Sequence, residues 1–183
     1  MRTVNRETLQ TLQALTERAL EGLFGPLCGA VSIRDASDTA WTELADATLA
    51  AAIGFRSPCL SGELILLAPS RFVEDVLPPE VRGRQRSARI AADWVGELVN
   101  QLVGRLKNQL LGYGVDVGLG TPRAVTPNDI VSYEHSMRAI ARLSLSSGEG
   151  TVLALLYTDG LEDVALATST PGAAVSEGDI VLF

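Results

Sequence analysis

Apolar positions recur at two spacings along this chain. Leu9, Leu12, Leu15, Ala19, Leu20 and Leu23 fall at helical intervals, predicting an amphipathic helix over residues 5–25 that the stretch FGPL ends. In a mixed segment, residues 29–42, a short strand is predicted near 30–33. Two strand-sized apolar runs follow, LADATLAAAIGF at 44–55 and GELILLA at 62–68, and the turn formers RSPCLSG between them predict a β-hairpin. SRFVEDVL at 70–77 reads as a short helix capped by Ser70, which Pro78 and Pro79 stop before the next one starts.

A long helix is predicted from about residue 80 to 111, halted at Gly112 and Gly114. VDVGLGTP at 115–122 reads as a strand that Pro122 terminates, and TPRAVTPND as an irregular link. SMRAIARLSLSS (136–147) and TVLALLYTD (151–159) flank GEG as a second hairpin. An apolar stretch near 163–168, a Pro-Gly turn at 171–172 and a last short strand, DIVLF, complete the reading. The order helix, hairpin, helix, hairpin points to an internal duplication, with halves of about 1–78 and 79–183 in one domain.

Placed at 100° steps, the long helix divides in two. Trp94, Val95, Leu98, Val99, Leu102, Val103, Leu106 and Leu110 fill an arc of roughly half the circumference, the face to be buried. The opposite arc holds Arg89, Asp93, Glu97, Asn100, Gln101, Gly104, Lys107 and Asn108. Glu97 and Asn100, three apart, stand side by side. Asp93 lies one turn before Glu97, and Gly104 one turn after Asn100. A glycine inside a helix costs about 1 kcal/mol relative to alanine. Gly104 would leave backbone bare beside two polar side chains, where another body can approach closely, and Gly96 borders the same face. From the wheel alone, a solvated face whose polar residues have no special role is the simpler reading.

Composition narrows the function. The apolar fraction of 46% supports a real core, and the 183 residues fit one domain. A net charge of −7 and a pI near 4.7 argue against a nucleic-acid partner. The basic run VRGRQRSAR at 81–89 reads as the solvated start of a helix, with a docking patch for an acidic partner as the alternative. Cys28 and Cys59 stand far apart with no Cys-x-x-Cys, which points to a reducing cytoplasm rather than a disulfide framework. MRTVNRETLQ has no apolar run behind it and does not read as a signal peptide, and no apolar run is long enough to span a membrane.

His135, the single histidine, has no partner ligand near it in sequence and reads as a surface residue at the start of the second hairpin, so no metal site is expected. GYGVDVGLG at 112–120 lacks the spacing of a phosphate loop and follows a helix instead of opening one. Ser57 and Ser61 read as turn residues, and Trp41 and Trp94 as core or half-buried anchors.

The stretch Asp93-x-x-x-Glu97-x-x-Asn100, followed 22 positions later by Pro122, resembles the signature of the CheC/CheX/FliY family, phosphatases of the chemotaxis response regulator. LVNQLVGRLKNQL is similar to the helix of CheX-like members, where a glycine follows the Asn by four, and IGFRSPCLSGELIL fits the hairpin before it. The resemblance covers roughly residues 40–160. It implies an α+β fold, two long helices on an antiparallel sheet built from two related helix–hairpin halves. It implies a substrate, a receiver domain phosphorylated on aspartate with its own Mg²⁺, and no cofactor bound by this chain. Asn100 would position the hydrolytic water and Glu97 would pair with the receiver's lysine, with Asp93, Gln101 and Gly104 in the binding surface. CheC-like chains carry two such sites. Here the first helix offers only Glu17 with Leu20 and Glu21 with Phe24, so one site per chain is expected, closer to CheX. CheX-like proteins pair through sheet edges, which makes a homodimer an expectation. Some relatives in the flagellar switch bind partners without hydrolysis, so a non-catalytic interaction module is the rival reading.

Overall fold

The computed structural model describes residues 6–37, 48–82, 88–160 and 166. The elements in chain order are α1 (Arg6–Cys28), β1 (Ser32–Asp35), β2 (Thr48–Arg56), β3 (Ser61–Pro69), α2 (Ser70–Asp75), α3 (Pro79–Arg82), α4 (Ala88–Leu111), β4 (Gly118–Leu119), β5 (Arg123–Ala124), α5 (Pro127–Ser136), β6 (Arg138–Ser147) and β7 (Gly150–Gly160). The strands form one seven-stranded sheet in the order β1-β6-β7-β3-β2-β4, with β5 also on β2. Its pairings are antiparallel. The expected α+β architecture, two long helices on an antiparallel sheet, is the one observed.

Alternation along the strands divides the core. Ile53, Leu64, Leu66, Leu143, Leu145, Val152 and Leu156 meet the buried stripes of α1 and α4 on one face. Ala52, Ile65, Leu67, Leu153, Leu155 and Tyr157 form the other face, packed under Val125 and Ile130. Two covered faces explain why β3 and β7 read as continuous apolar runs rather than alternating ones. Leu166 joins the helix-side core at 4% exposure.

Several boundaries differ from the sequence reading, each for a local reason. α1 runs through Pro26 to Cys28 and stops where Gly29 adopts φ 75°. Ser70 is the first helical residue of α2 and not its cap; Pro69 occupies that position with no side-chain cap bond. Of the predicted long helix, α3 is described up to Arg82 and α4 from Ala88; residues 83–87, the centre of the basic run, lie outside the described residues, as do Trp41 and the predicted final strand.

α4 ends as expected. Gly114 sits at φ 74° and donates to Leu111 (2.9 Å), while Val115 donates to Leu110 (3.1 Å), the paired bonds of a Schellman stop.

The segment read as an irregular link is partly regular. Thr126 caps α5: its Oγ1 accepts from the Asp129 N–H at 3.3 Å, its own N–H donates to Asp129 Oδ2 at 2.8 Å, and Pro127 opens the helix. The Thr126 hydroxyl, and next its backbone N–H, hold the Asp129 carboxyl below its ordinary range. α5 lies on the face away from α1 and α4. There Tyr133 stacks on Tyr157 (centroids 5.9 Å), and Arg123 lies 5.5 Å from the Tyr133 ring while donating to Glu63 at 2.8 Å. His135 falls in the last turn of α5 and is exposed, its Nδ1 2.7 Å from the Val131 carbonyl.

Pro122 does not end the edge strand; it interrupts it. Leu119 pairs with Phe55, and the Gly120 N–H donates to the Gly54 carbonyl at 2.8 Å. Ala52 is already opposite Arg123, so Ile53 alone faces both Thr121 and Pro122. The extra residue is a β-bulge, and a proline with no N–H fits an unpaired position.

Substituting Gly114→Ala places a Cβ in the left-handed region and is expected to lower unfolding free energy by about 1 kcal/mol, read as a shifted urea midpoint with an unchanged slope.

Candidate functional site

The site is a patch of one helix face, held by what lies beneath it. Leu98, Val99 and Leu102 are fully buried, and Val95, Val103, Leu106 and Leu110 nearly so. Trp94 is half-buried against the same core. Asp93, Glu97, Asn100, Gln101 and Asn108 are therefore driven to the surface, and all five are exposed. The face divides as the wheel predicts.

The polar residues have few intramolecular partners. Gln101 Nε2 donates to Glu97 Oε1 at 2.9 Å, which orients the carboxylate and leaves Oε2 open. Among the described residues, no cation pairs with Glu97 and no side chain hydrogen-bonds the Asn100 amide. Arg89 and Lys107 on this face stand beside Asp93 and Asp116 rather than Glu97. Arg89 Nε stands 4.0 Å from Asp93 Oδ2 in a highly exposed pair, a geometry worth little energy. Lys107 Nζ is 3.2 Å from Asp116 Oδ1 beyond the helix end. The ground around Asn100 is thus acidic, an oriented carboxylate beside an unengaged amide.

The glycines behave differently from one another. A Cβ on Gly104 would meet nothing within 4 Å, so internal packing does not require glycine there. A Cβ on Gly96 would meet only Pro122 Cβ, at 3.8 Å. The structure therefore brings Pro122 against α4 one residue before Glu97, a proximity across the bulge that the sequence distance alone does not reveal.

α1 carries no equivalent patch. The residues three beyond Glu17 and Glu21 are Leu20 and Phe24, both at 0% exposure. Glu17 accepts from Gln13 at 3.2 Å, and Gln13 also reaches Asp35 on β1 at 3.4 Å. A shallow groove, lined by Gly54, Arg56, Glu63, Leu119, Gly120 and Met137, opens at the turn end of β2 and β3. Its carboxylate is already bonded to Arg123. Cys28 and Cys59 are both free thiols, and burial raises the Cys28 pKa. Among the described residues no group of three or more His, Cys, Asp or Glu could hold a metal ion, and no helix is long and apolar enough to cross a membrane.

Residues 49–142, from β2 through α4 to β6, match the family described as chemotaxis phosphatase CheX. The chain belongs to the CheX family. Solved structures agree on the fold. The chemotaxis protein CheX of Vibrio vulnificus is 13% identical with a TM-score of 0.62, over 86% of this chain and 99% of that one. The CheX of a CheX–CheY–BeF₃–Mg²⁺ complex from Borrelia burgdorferi is 9% identical with a TM-score of 0.54, over 85% and 99%. The FliM middle domain of Helicobacter pylori is 13% identical with a TM-score of 0.54, over 85% and 93%. None of the curated proteins matches the chain. The CheX match spans Asp93, Glu97, Asn100 and Pro122, the residues on which the resemblance was drawn.

Because the space around Gly104 is open, Gly104→Ala is expected to stabilise the fold by about 1 kcal/mol through helix propensity, seen as a higher urea midpoint. An unchanged or lowered midpoint would mean that the backbone there is not an ordinary helix interior.

Proposed function

We propose that this CheX-family chain dephosphorylates a response-regulator receiver domain carrying phosphate on an aspartate. The observation that carries the reading is the exposed, unengaged Asn100 amide standing three residues after an exposed, oriented Glu97 on a helix locked by its core. An acyl phosphate is already activated, and the receiver is expected to hold its own Mg²⁺, which neutralises phosphoryl charge there. What a partner must add is one water in line with the scissile bond, a positioning task. The Asn100 carbonyl accepts a hydrogen bond from that water, and an amide does not titrate near neutral pH. The water oxygen attacks phosphorus while the bond to the aspartyl oxygen breaks. The aspartate carboxylate is regenerated, and inorganic phosphate leaves carrying the water's oxygen and one of its protons while the other passes to phosphate or solvent.

Glu97 supplies register. Its Oε2 accepts from the receiver's lysine while Gln101 holds Oε1, a charge-assisted bond that fixes orientation more than it adds rate. Asp93 extends the acidic ground by one turn. Gly104, with open space where a side chain would stand, lets the receiver backbone come close. The buried Leu20 and Phe24 on α1 support one site per chain. Such a protein works in the cytoplasm, and two copies would pair through a sheet edge.

The rival is a CheX-like module that binds its partner without hydrolysis, a reading favoured by the likeness to a FliM middle domain. One experiment separates the two. Receiver domains from the source organism are phosphorylated with a small phosphodonor and Mg²⁺, and phosphate loss is followed with and without the chain. Wild type is expected to accelerate loss. Asn100→Ala should lose about a hundredfold of that acceleration, the order expected when a positioned group is removed, with stability changed by less than about 0.5 kcal/mol. Binding with no acceleration by wild type would support the interaction module instead.

A further inference from the structure

The polar face of α4 is not symmetric about its outward direction. Arg105 and Gly96 lie about 180° apart on the wheel. Arg105 turns toward α1, where its Nη1 comes 3.3 Å from the point a Cβ on Gly22 would occupy. Gly96 turns toward the sheet edge, where Pro122 lies against it. Glu97 points outward, about 100° from Gly96, whereas Asn100 is only about 40° from it. The amide therefore leans away from α1 and toward the bulged edge.

That edge presents side chains to the same side. Leu119 opposes Phe55, whose ring belongs to the helix-side core, and Gly120 opposes Gly54. Alternation returns Thr121 to the helix side, and the extra residue of the bulge keeps Pro122 there too, against Gly96. Arg123 then crosses to the other face, where it meets Glu63 and Tyr133. Thr121 is exposed, and Leu119, large and apolar, is 37% exposed.

Size decides what this edge is for. A helix with its side chains is about 10–12 Å across, while a specific protein interface covers about 800 Å² on each partner. A receiver seated on Asn100 cannot rest on α4 alone. It must also lie on one flank, and the lean of Asn100 selects the bulged edge rather than α1.

We propose that the bulged β4–β5 edge is the second wall of the receiver-docking surface, with Thr121 a specificity-determining contact. The inference rests on Asn100 as the water-positioning residue. Thr121 touches the receiver's surface and not the reacting atoms, so its change moves KM and not kcat.

The test uses the full chain and an aspartyl-phosphorylated receiver domain that wild type dephosphorylates. Thr121→Arg is expected to raise KM about tenfold or more with kcat within twofold, while Thr121→Ser keeps wild-type values. Arg18→Glu, on the exposed side of α1, should leave KM unchanged. If Thr121→Arg folds poorly by circular dichroism, Leu119→Lys reads the same wall and should raise KM likewise. Acceleration by wild type, its loss in Asn100→Ala, and an unmoved KM in the edge variants would overturn this inference and leave the phosphatase reading standing. A KM raised as much by Arg18→Glu as by Thr121→Arg would overturn it too. If wild type accelerates no receiver, both readings fall together.

Discussion

The burial of one stripe of α4 on the sheet is the constraint from which the rest follows. Leu98, Val99 and Leu102 are completely removed from water, and Val95, Val103, Leu106 and Leu110 nearly so. Each such side chain contributes about 1.5–3 kcal/mol on transfer from water. Every surface contact on this helix is small beside that. Rotating α4 by one residue would expose part of the stripe and drive polar side chains toward β2 and β3, where an unpaired amide costs about 1–3 kcal/mol. The core therefore sets where Asn100 points, and with it the directions of Asp93 and Glu97 on the same face.

The surface interactions beside Asn100 are weak. An exposed ion pair at 4.0 Å and a Glu–Gln bond one turn apart contribute tenths of a kcal/mol. An amide already bonded within the fold would have to break that bond before it could hold a water. The bare backbone at Gly104 costs about 1 kcal/mol that packing does not recover. Local sacrifices of this kind are expected where a surface serves another molecule rather than its own fold. The CheX match spans this face of α4.

Much of the fold was legible because its patterns are strong. The α4 stripe, the hairpin of β2 and β3, and the glycine stop at 112–114 follow from helical spacing, apolar runs and left-handed tolerance. α5 was missed although its signal was present: Thr126-Pro127-x-Asp129 is a capping box with proline at the first helical position. Its apolar stripe is short, since it covers only the margin of the second face, and the turn formers around it outweighed the cap. Ser70 failed the other way. Serine favours caps, but the helix began one residue earlier because β3 delivers Pro69 directly into it. Propensity makes Pro122 a strand end, whereas an edge strand can skip a proline through a bulge.

The sequence by itself determined the faces of α4, and so the company of Asp93, Glu97, Asn100 and Gly104, because a helix has one period and a strongly apolar stripe admits one orientation. It also determined that α1 repeats no Glu-x-x-Asn pair, since Leu20 and Phe24 stand three residues after Glu17 and Glu21. Only the tertiary structure decided what lies beside that face. Gly96 meets Pro122 through a bulge whose slip of one residue is set by pairing with β2, and pairing partners distant along the chain are a property of the closed sheet that no local pattern encodes.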